Sequence, residues 1–481
     1  MELVTKRAMK CIQEADVIVY DNLIDISLLN YASLNTELIY AGKEAANHYL
    51  SQGSIIELLM DKAREGKYVV RLKGGDPYLF GRGSEEALAL KEAGISYEIV
   101  SGVTSSIAVP AYAGIPVTDR RFVSSCHIIT AHREDEAGID FENISKLEGT
   151  LVFMMGLAKL HHIVQGLTLH SKASDTPVAV LSDGSRYNRR KCVGTLADIE
   201  EKVKEAKLLP PAIIVVGEVV NLSNELDNFL ERYSDKKLFR KKILLTGTRY
   251  ICNKIKVALA DEGCDIDEIS IIESVPIESD FYNNIEKYIE SHDYLVFSSA
   301  NGIRVFFEKL KELHNVDLRK LSNIKFAVIG KGSAQTLRNY GYIADFVPSS
   351  FSNKDLAVEL CKQLKGEKLL LLRAREASAE LVEELEANKV EYTDVPLYET
   401  FRDYRRTFDI KRLIKNYDYV VVASSITAHT LCEMVEDKAL LEGRVVSIGP
   451  VTTGTCKRLG VEPLMSAREY SVDGIVRVLL Q

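Results

Sequence analysis

The sequence contains no tryptophan, no long apolar run and no surplus of basic residues. None of its apolar runs approaches the roughly 18 residues that a membrane helix needs. The positive charges within residues 1–7 are not followed by the apolar stretch of a signal peptide. We therefore expect no membrane-spanning segment, no secretory leader and a cytoplasmic location.

The eight cysteines are scattered along the chain and form no C-x-x-C pair. Disulfide frameworks and zinc sites depend on characteristic cysteine spacings. The sequence therefore predicts reduced thiols and no metal site.

The charge balance argues against a general nucleic-acid binder. Basic residues number 61 and acidic residues 69, a net charge of −8, whereas nucleic-acid binding normally requires a basic surplus. An anionic substrate fits this total only if basic residues gather around its pocket. The apolar and charged fractions, 46% and 27%, are those of a globular protein, and the length suggests about three domains.

Short runs of valine, isoleucine and leucine alternate with helical patterns along the chain. Each run is apolar throughout, as in a strand covered on both faces. The alternation predicts an α/β fold with parallel sheets. The runs are 16–20, 68–72, 212–216, 243–246, 294–297, 326–329, 369–372, 419–422 and 445–448.

One segment interrupts this alternation. Residues 222–241 carry nine charges among twenty positions and lie between two predicted strands. We interpret them as a helix and charged linker, 223–241, at a domain boundary.

The C-terminal half contains an internal repeat with an offset of about 120 residues. An apolar run followed by a serine pair occurs at 293–301 and 418–426, and one followed by Ile-Gly-x-x-Ser/Thr occurs at 326–333 and 445–452. Such strand ends leave N–H groups and hydroxyls where anions bind. A serine before a helix can also be a simple N-cap, but four matched sites favour anion binding.

The strongest local signal in the N-terminal half is the glycine-rich string Arg71–Gly83, between a predicted strand and a predicted helix at 84–93. It has four glycines within ten residues, which permits close approach of the backbone to a ligand. Its spacing matches neither the P-loop nor the dinucleotide-binding motif. Further strings, all predicted at strand ends, are 101–106, 112–121, 130–133, 153–157 and 177–184.

These strings make residues 1–222 resemble uroporphyrinogen-III C-methyltransferase, of the tetrapyrrole methylase family. The resemblance rests on Val19–Leu23, Gly42-Lys43…His48, Gly-Gly-Asp-Pro at 74–77, Gly-Val-Thr-Ser at 102–105, Tyr-Ala-Gly-Ile-Pro at 112–116 and Met-Gly-Leu at 155–157. It implies a two-lobed α/β fold, S-adenosyl-L-methionine in the cleft, and a homodimer through this half.

The resemblance also implies roles for individual positions. Asp21 matches the proposed proton acceptor and Lys43 the proposed donor, although a helix cap and a surface charge are the alternatives for them. The cofactor would be lined by Gly74, Gly75, Asp76, Leu79, Thr104, Ser105, Met155 and Gly184.

Basic residues gather around these motifs and would neutralise a polycarboxylate tetrapyrrole. For any one of them a solvated surface position is the alternative. The set is Arg71, Lys73, Arg82, Arg120, Arg121, His132 and Arg133.

Two departures from the family pattern stand out. The family opens with a strand leading into Gly-x-Gly-Pro-Gly-Asp, and this sequence begins just beyond that motif. Lack of that strand would leave ladder groups and apolar surface exposed. The second departure is Asn22, where the family usually has an arginine, which removes one expected substrate contact.

From residue 242 onward the chain resembles uroporphyrinogen-III synthase. The resemblance rests on the repeated serine modules, on Leu-Leu-Arg-Ala-Arg at 371–375 and on Pro-Leu-Tyr-Glu-Thr at 396–400. It implies two α/β lobes, one of 242–275 plus 397–481 and the other of 277–395, with the substrate in the cleft between them.

The family implies little acid–base machinery, because the substrate ionises readily and the enzyme mainly holds one conformer. Tyr398 matches a tyrosine proposed to assist departure of the hydroxyl; a buried core tyrosine is the alternative. Donors to substrate carboxylates would be Ser298, Ser299, Ser333, Ser424, Ser425 and Thr452.

The leading interpretation is a bifunctional tetrapyrrole enzyme that makes uroporphyrinogen III and methylates it to precorrin-2, for sirohaem or cobalamin. The alternatives are a monofunctional synthase with an impaired methylase half and a non-catalytic ligand sensor. We expect small-molecule tetrapyrroles as partners, and neither nucleic acid nor membrane.

Overall fold

The structure is a computed structural model that describes residues 2–42, 50–131, 138–313, 317–350, 352–469 and 471–481. The strands within these ranges form four sheets. The helices within them are too short or too polar to cross a membrane.

The first sheet is parallel, with the order β2-β1-β3. It consists of β1 (Val17–Tyr20), β2 (Glu37–Tyr40) and β3 (Val69–Leu72). Within the described ranges β3 pairs only with β1, and residues 95–104 form no strand. The backbone N–H and C=O groups on the far edge of β3 therefore have no strand partner within the described ranges.

The second sheet is mixed, which corrects the prediction of parallel sheets. Its order is β4-β5-β8-β6-β7; the β4–β5 pairing is parallel, and the other three neighbouring pairs are antiparallel. A strand covered on both faces is apolar in either direction, so periodicity cannot reveal strand direction. The strands are β4 (Cys126–Thr130), β5 (Thr150–Met154), β6 (Pro177–Ser182), β7 (Arg190–Thr195) and β8 (Ala212–Val216).

The C-terminal half contains the other two sheets. One is parallel, with the order β10-β9-β16-β17-β18; the other has the order β11-β15-β14-β12-β13, with β11 antiparallel to β15. The strands are β9 (Lys242–Gly247), β10 (Asp265–Ser270), β11 (Ile272–Pro276), β12 (Tyr294–Phe297), β13 (Lys325–Val328), β14 (Leu369–Ala374), β15 (Tyr392–Arg402), β16 (Tyr419–Val422), β17 (Val445–Ser447) and β18 (Met465–Ser466).

The internal repeat is visible in these sheets. Its two runs form the parallel neighbours β12 and β13 in one sheet and β16 and β17 in the other. The helices that follow them begin at equivalent points, because each serine pair or glycine ends a strand and starts a helix.

Helices cover the sheets. In the N-terminal half they are α1 (Lys6–Glu14), α2 (Gln52–Arg64), α3 (Gly83–Glu92), α4 (Ser105–Tyr112), α5 (Phe141–Ile144), α6 (Leu160–Leu169), α7 (Ile199–Glu205), α8 (Ser223–Leu226) and α9 (Phe229–Tyr233). In the C-terminal half they are α10 (Arg249–Ala258), α11 (Asp280–Asn283), α12 (Ile285–Ser291), α13 (Ala300–Glu312), α14 (Lys331–Asn339), α15 (Asn353–Cys361), α16 (Glu380–Ala387), α17 (Thr407–Leu413), α18 (Ser425–Met434), α19 (Pro450–Arg458) and α20 (Val472–Leu479).

The two halves share a hydrophobic core. Ile18 and Leu29 of the N-terminal half belong to the same buried cluster as Leu244, Ile269 and Ile410 of the C-terminal half. A cluster of this kind is stabilised by removal of apolar surface from water. The contact between the halves is therefore a packed interface.

Candidate active sites

A cavity of about 2630 Å³ lies beside the glycine-rich string of the N-terminal half, and residues of the C-terminal half, such as Asp265 and Tyr417, form part of its wall. We call it the methylase cavity. Five of the eight residues predicted for the cofactor line it, whereas Asp76, Leu79 and Thr104 do not reach its wall. The five are Gly74, Gly75, Ser105, Met155 and Gly184.

Asp76 organises the loops around this cavity. One carboxylate oxygen accepts a hydrogen bond from the backbone N–H of Tyr78 at 2.9 Å, and the other accepts one from the N–H of Gly102 at 3.0 Å. A Cβ at Gly102 would lie 2.3 Å from the carbonyl oxygen of Gly75. Only glycine allows the two loops to approach this closely.

The loop after β1 packs against the same string. A Cβ at Gly74 would lie 2.8 Å from the carbonyl oxygen of Leu23. Asp21, at the end of β1, accepts a hydrogen bond from the N–H of Leu23 at 3.0 Å. Asp21 is thereby held beside the cavity, whose wall includes Asn22 and Leu23.

A charged cluster surrounds Asp21. Arg71 Nη2 lies 3.3 Å from Asp21 Oδ2, and Arg71 Nε lies 3.4 Å from Glu86 Oε1. The same Glu86 oxygen lies 2.7 Å from Lys73 Nζ. Burial lowers the pKa of Lys73, and the neighbouring Arg71 guanidinium lowers it further, while Glu86 opposes both.

The basic residues do not converge as the sequence suggested. Arg71 and Lys73 line the cavity, but Arg82 pairs with Glu85 at 2.8 Å and Arg121 with Asp119 at 2.9 Å. Nearby carboxylates compensate these cations locally. Arg120 is exposed. Lys43, His132 and Arg133 lie outside the described residues.

Two of the strings expected at strand ends lie elsewhere. Residues 101–106 follow an irregular segment and enter α4, and residues 112–121 follow α4 itself. The strings at 130–133, 153–157 and 177–184 do contain the ends of β4, β5 and β6. Turn residues mark the end of a helix or a loop as well as the end of a strand.

The candidate site of the C-terminal half centres on Tyr398. Its side chain is only 6% exposed, and its hydroxyl lies 2.8 Å from the hydroxyl of Ser299. Burial raises the pKa of Tyr398, and the Ser299 hydrogen bond only partly offsets this. Tyr398 is therefore a neutral donor at neutral pH.

The serine pairs act first as helix caps. Ser299 Oγ accepts from the N–H of Gly302 at 3.0 Å, and Ser424 Oγ accepts from the N–H of Thr427 at 3.1 Å. The capping alternative therefore applies to both, although their O–H groups can still donate. Ser298 and Ser425 are half-buried, and Ser425 Oγ accepts from Thr455 Oγ1 at 3.0 Å.

Ser333 and Thr452 do not fit the role expected of them. They lie inside α14 and α19, at 5% and 1% exposure. A donor to a substrate carboxylate needs an accessible hydroxyl. In both copies of the Ile-Gly-x-x-Ser/Thr module the hydroxyl-bearing residue is instead buried.

Both halves of the chain are similar to known protein families. Residues 1–200 match the family described as Tetrapyrrole (Corrin/Porphyrin) Methylases, and residues 253–477 match Uroporphyrinogen-III synthase HemD. Over its whole length the chain is 34% identical to the porphyrin biosynthesis protein HemD of Ruminiclostridium josui, 95% of which it covers. The chain belongs to this family of fused methylase and synthase proteins.

A curated relative of the methylase half agrees with this assignment. The methylase half is 49% identical to uroporphyrinogen-III C-methyltransferase of Methanocaldococcus jannaschii, over 46% of this chain and 92% of that protein. A Thermus thermophilus uroporphyrin-III C-methyl transferase structure, complexed with S-adenyl homocysteine, is 32% identical, with a TM-score of 0.40, over 46% of this chain and 94% of that one.

The synthase half is similar to a mutant uroporphyrinogen III synthase structure from Thermus thermophilus. The identity is 15% and the TM-score 0.37, over 49% of this chain and 96% of that one. The sheets of the two halves and the two family models confirm the expected fold class, a methylase-like α/β half followed by a synthase-like α/β half.

One polar cluster in the synthase half was missed by sequence reasoning. Glu273 on β11 lies 3.8 Å from Arg249, and the Arg304 guanidinium lies 4.4 Å from the centre of the Tyr250 ring. Burial raises the pKa of Glu273 to about 7, against the opposing charges of Arg249 and Arg304. The strand-end string Gly-Thr-Arg at 247–249 was the available signal; Glu273 is recognisable only from tertiary contacts.

Proposed function

We propose that this chain both cyclises hydroxymethylbilane to uroporphyrinogen III and methylates that product with S-adenosyl-L-methionine to precorrin-2. The observation that carries the proposal is the cavity formed around Gly74, Gly75, Ser105, Met155 and Gly184. It occurs in a chain whose two halves align with a methylase family and a synthase family.

The methylase cavity fits the proposed cofactor. Its glycines bring backbone groups to the wall, and the apolar side chain of Met155, which also lines the cavity, is exposed. When bound, S-adenosyl-L-methionine supplies an electrophilic methyl group. The chain's own contribution is to align the pyrrole carbon with that group and to accept the proton that leaves, for which Asp21 is the candidate.

Arg71 and Lys73 would meet the substrate from the same wall. Glu86 balances their charge without the substrate, since it contacts both. A polycarboxylate would add further acceptors to the same donors. We propose Arg71 and Lys73 as its binding residues, and assign Lys43 as proton donor from the resemblance alone.

In the synthase half we propose that Tyr398 donates a hydrogen bond to the departing hydroxyl. Its contact with Ser299 orients the phenol, and burial keeps it protonated. Ser298, Ser424 and Ser425 would donate to substrate carboxylates. The enzyme's main contribution is then to hold one folded conformer of the substrate.

We further propose the division into a methylase domain, 1–222, a linker, 223–241, and a synthase domain, 242–481, with lobes 242–275 plus 397–481 and 277–395. The location would be the cytoplasm and the assembly a homodimer through the methylase half. Size-exclusion chromatography with light scattering tests the assembly.

The decisive experiment incubates the purified chain with hydroxymethylbilane, with and without S-adenosyl-L-methionine. We expect the type III isomer in both reactions and a methylated product only with the cofactor. Type III isomer without methylation would favour the monofunctional synthase, a second candidate supported by the edge of β3 that has no strand partner among the described residues. If neither the type III isomer nor a methylated product forms, the proposal is overturned.

A further inference from the structure

The synthase half contacts the methylase loop that contains Asp21. The hydroxyl of Tyr20 donates to both carboxylate oxygens of Asp409, at 3.2 and 3.1 Å. Arg412 donates to the side-chain oxygen of Asn22. The two chain neighbours of Asp21 are therefore held by one element of the synthase half, α17.

The donors and acceptors of this contact are themselves fixed. The Asp409 side chain is fully buried and pairs with Arg406 at 3.2 Å and Arg412 at 3.4 Å. Arg406, at 1% exposure, also donates to the carbonyl oxygen of Ile26 at 3.1 Å. A buried charge with this many partners has few alternative positions.

Aromatic contacts also hold α17 against the methylase half. The Arg412 guanidinium lies 4.7 Å from the centre of the Tyr40 ring, and Phe408 packs against that ring at 4.9 Å. Burial and the Asp409 carboxylate raise the pKa of Tyr20 above its usual value. Tyr20 therefore remains a donor throughout the neutral range.

The same loop also borders the methylase cavity, whose wall includes Asn22 and Leu23. Asp21 pairs there with Arg71, and the carbonyl of Leu23 packs on Gly74. A shift of α17 would move Tyr20 and Asn22 together, and Asp21 lies between them. Displacement of a reacting group by about 1 Å can cost roughly a hundredfold in rate.

We propose that Asp409 and Arg412 of the synthase half are positioning residues for methyl transfer, which hold Asp21 through Tyr20 and Asn22. The inference rests on the proposed role of Asp21 as proton acceptor. The methylation rate would then depend on two side chains of the synthase half.

The simpler alternative is that these contacts only join the two halves. Arg405 provides the matched control, because it also crosses the interface but contacts a different segment. Its Nη1 donates to the carbonyl oxygens of Ser33 and Thr36, both at 2.8 Å. Loss of Arg405 therefore weakens the interface without releasing the Asp21 loop.

The test compares Arg412→Met, Asn22→Ala and Arg405→Met in the full chain. Methylation of uroporphyrinogen III gives kcat and KM, and hydroxymethylbilane conversion in the same preparation reports folding of the synthase half. We expect about a tenfold loss of methylation kcat for the first two variants, from misplacement well short of 1 Å. We expect KM for S-adenosyl-L-methionine and synthase activity within about twofold of wild type. Arg405→Met should keep its kcat, and Arg412→Lys should recover part of the loss.

A methylation kcat equal to wild type in both Arg412→Met and Asn22→Ala would overturn the inference, as would an equal loss in Arg405→Met. Asn22 is exposed, so its variant guards against a folding failure of Arg412→Met. Asp21→Asn distinguishes the proposed role of Asp21 from the proposed positioning by Asp409 and Arg412. If Asp21→Asn methylates normally, the proposed role of Asp21 fails and the inference falls with it. If Asp21→Asn is impaired and the Arg412 and Asn22 variants are not, the inference alone fails.

Discussion

Glu86 in the methylase half and Glu273 in the synthase half are both largely buried carboxylates, but their surroundings differ. Glu86 lies 2.7 Å from Lys73 and 3.4 Å from Arg71. Arg249 lies 3.8 Å from Glu273, and burial raises the pKa of Glu273 to about 7. The methylase site is organised by close ion pairs, whereas the synthase cluster has a carboxylate that is poorly compensated.

This difference matches the two kinds of chemistry. Methyl transfer needs reacting atoms aligned to a fraction of an ångström, which close ion pairs and tightly packed glycines can provide. Cyclisation of a substrate that ionises readily makes smaller demands on individual groups. Substitutions should therefore have larger effects in the methylase half.

The largest effect on ligand binding should come from Gly102→Ala. The new Cβ would lie 2.3 Å from the carbonyl oxygen of Gly75, so the loop that Asp76 fixes must move. We expect affinity for S-adenosyl-L-methionine to fall at least about a hundredfold, or about 2.7 kcal/mol, as measured by calorimetry. Gly53→Ala is the control in the same half, because among the described residues only Ser51 lies near its Cβ, at 3.7 Å. Equal affinities in the two variants would contradict the close-packing argument.

Glu86→Gln tests how much the close, buried ion pairs stabilise the methylase half. Removal of one partner from a buried pair leaves uncompensated charge and costs about 3 kcal/mol. We expect a loss of this size in the free energy of unfolding of the methylase half, measured by urea denaturation with circular dichroism. Glu85→Gln is the matched control, since its pair with Arg82 is half exposed, and such pairs contribute about 1 kcal/mol or less. Similar losses would show that burial of the pair is unimportant.

Glu273 should produce a smaller, pH-dependent effect. Its pKa is about 7 in the folded chain against an ordinary value of 4.5, so between these values the folded state binds more protons than the unfolded state. The free energy of unfolding therefore falls as pH rises through this window. We expect a fall of about 2 kcal/mol, discounted for the partial exposure of the side chain. The stability difference between wild type and Glu273→Gln, from urea denaturation at pH 5 and pH 8, measures it. A pH-independent difference would mean that Glu273 ionises normally.

Much of the fold follows from the sequence because its signals are local. The runs 294–297 and 419–422 coincide with β12 and β16, since apolar runs between turn residues specify strands. The mixed second sheet and the irregular residues 95–104 could not be predicted in this way. Strand direction and the availability of a pairing partner are properties of the whole sheet.

In the candidate sites, too, local features could be predicted from the sequence and tertiary contacts could not. The glycine-rich string marked the cavity because glycine is required wherever loops pack closely. By contrast, Arg82 and Arg121 were grouped with Arg71 by sequence proximity, although each pairs with its own neighbouring carboxylate. Asp409 and Arg412 are nearly 400 positions from Asp21 along the chain, and only the packed interface of the two halves brings them to its loop.

The smallest expected effect belongs to Tyr398→Phe in the synthase half. The substitution removes the hydroxyl that contacts Ser299 at 2.8 Å, and with it the donor proposed for the departing hydroxyl. We expect about a tenfold loss in the rate of hydroxymethylbilane conversion, or about 1.4 kcal/mol, with methylation of supplied uroporphyrinogen III unchanged. Tyr282→Phe, in the same buried hydrophobic cluster as Tyr398, is the control, because the Tyr282 hydroxyl is buried without a hydrogen-bond partner in the described part of the chain. Its removal should leave the rate unchanged and stability equal or higher, since a buried unsatisfied hydroxyl carries a desolvation cost. A loss above a hundredfold for Tyr398→Phe would place chemical catalysis rather than conformer selection at the centre of the synthase site.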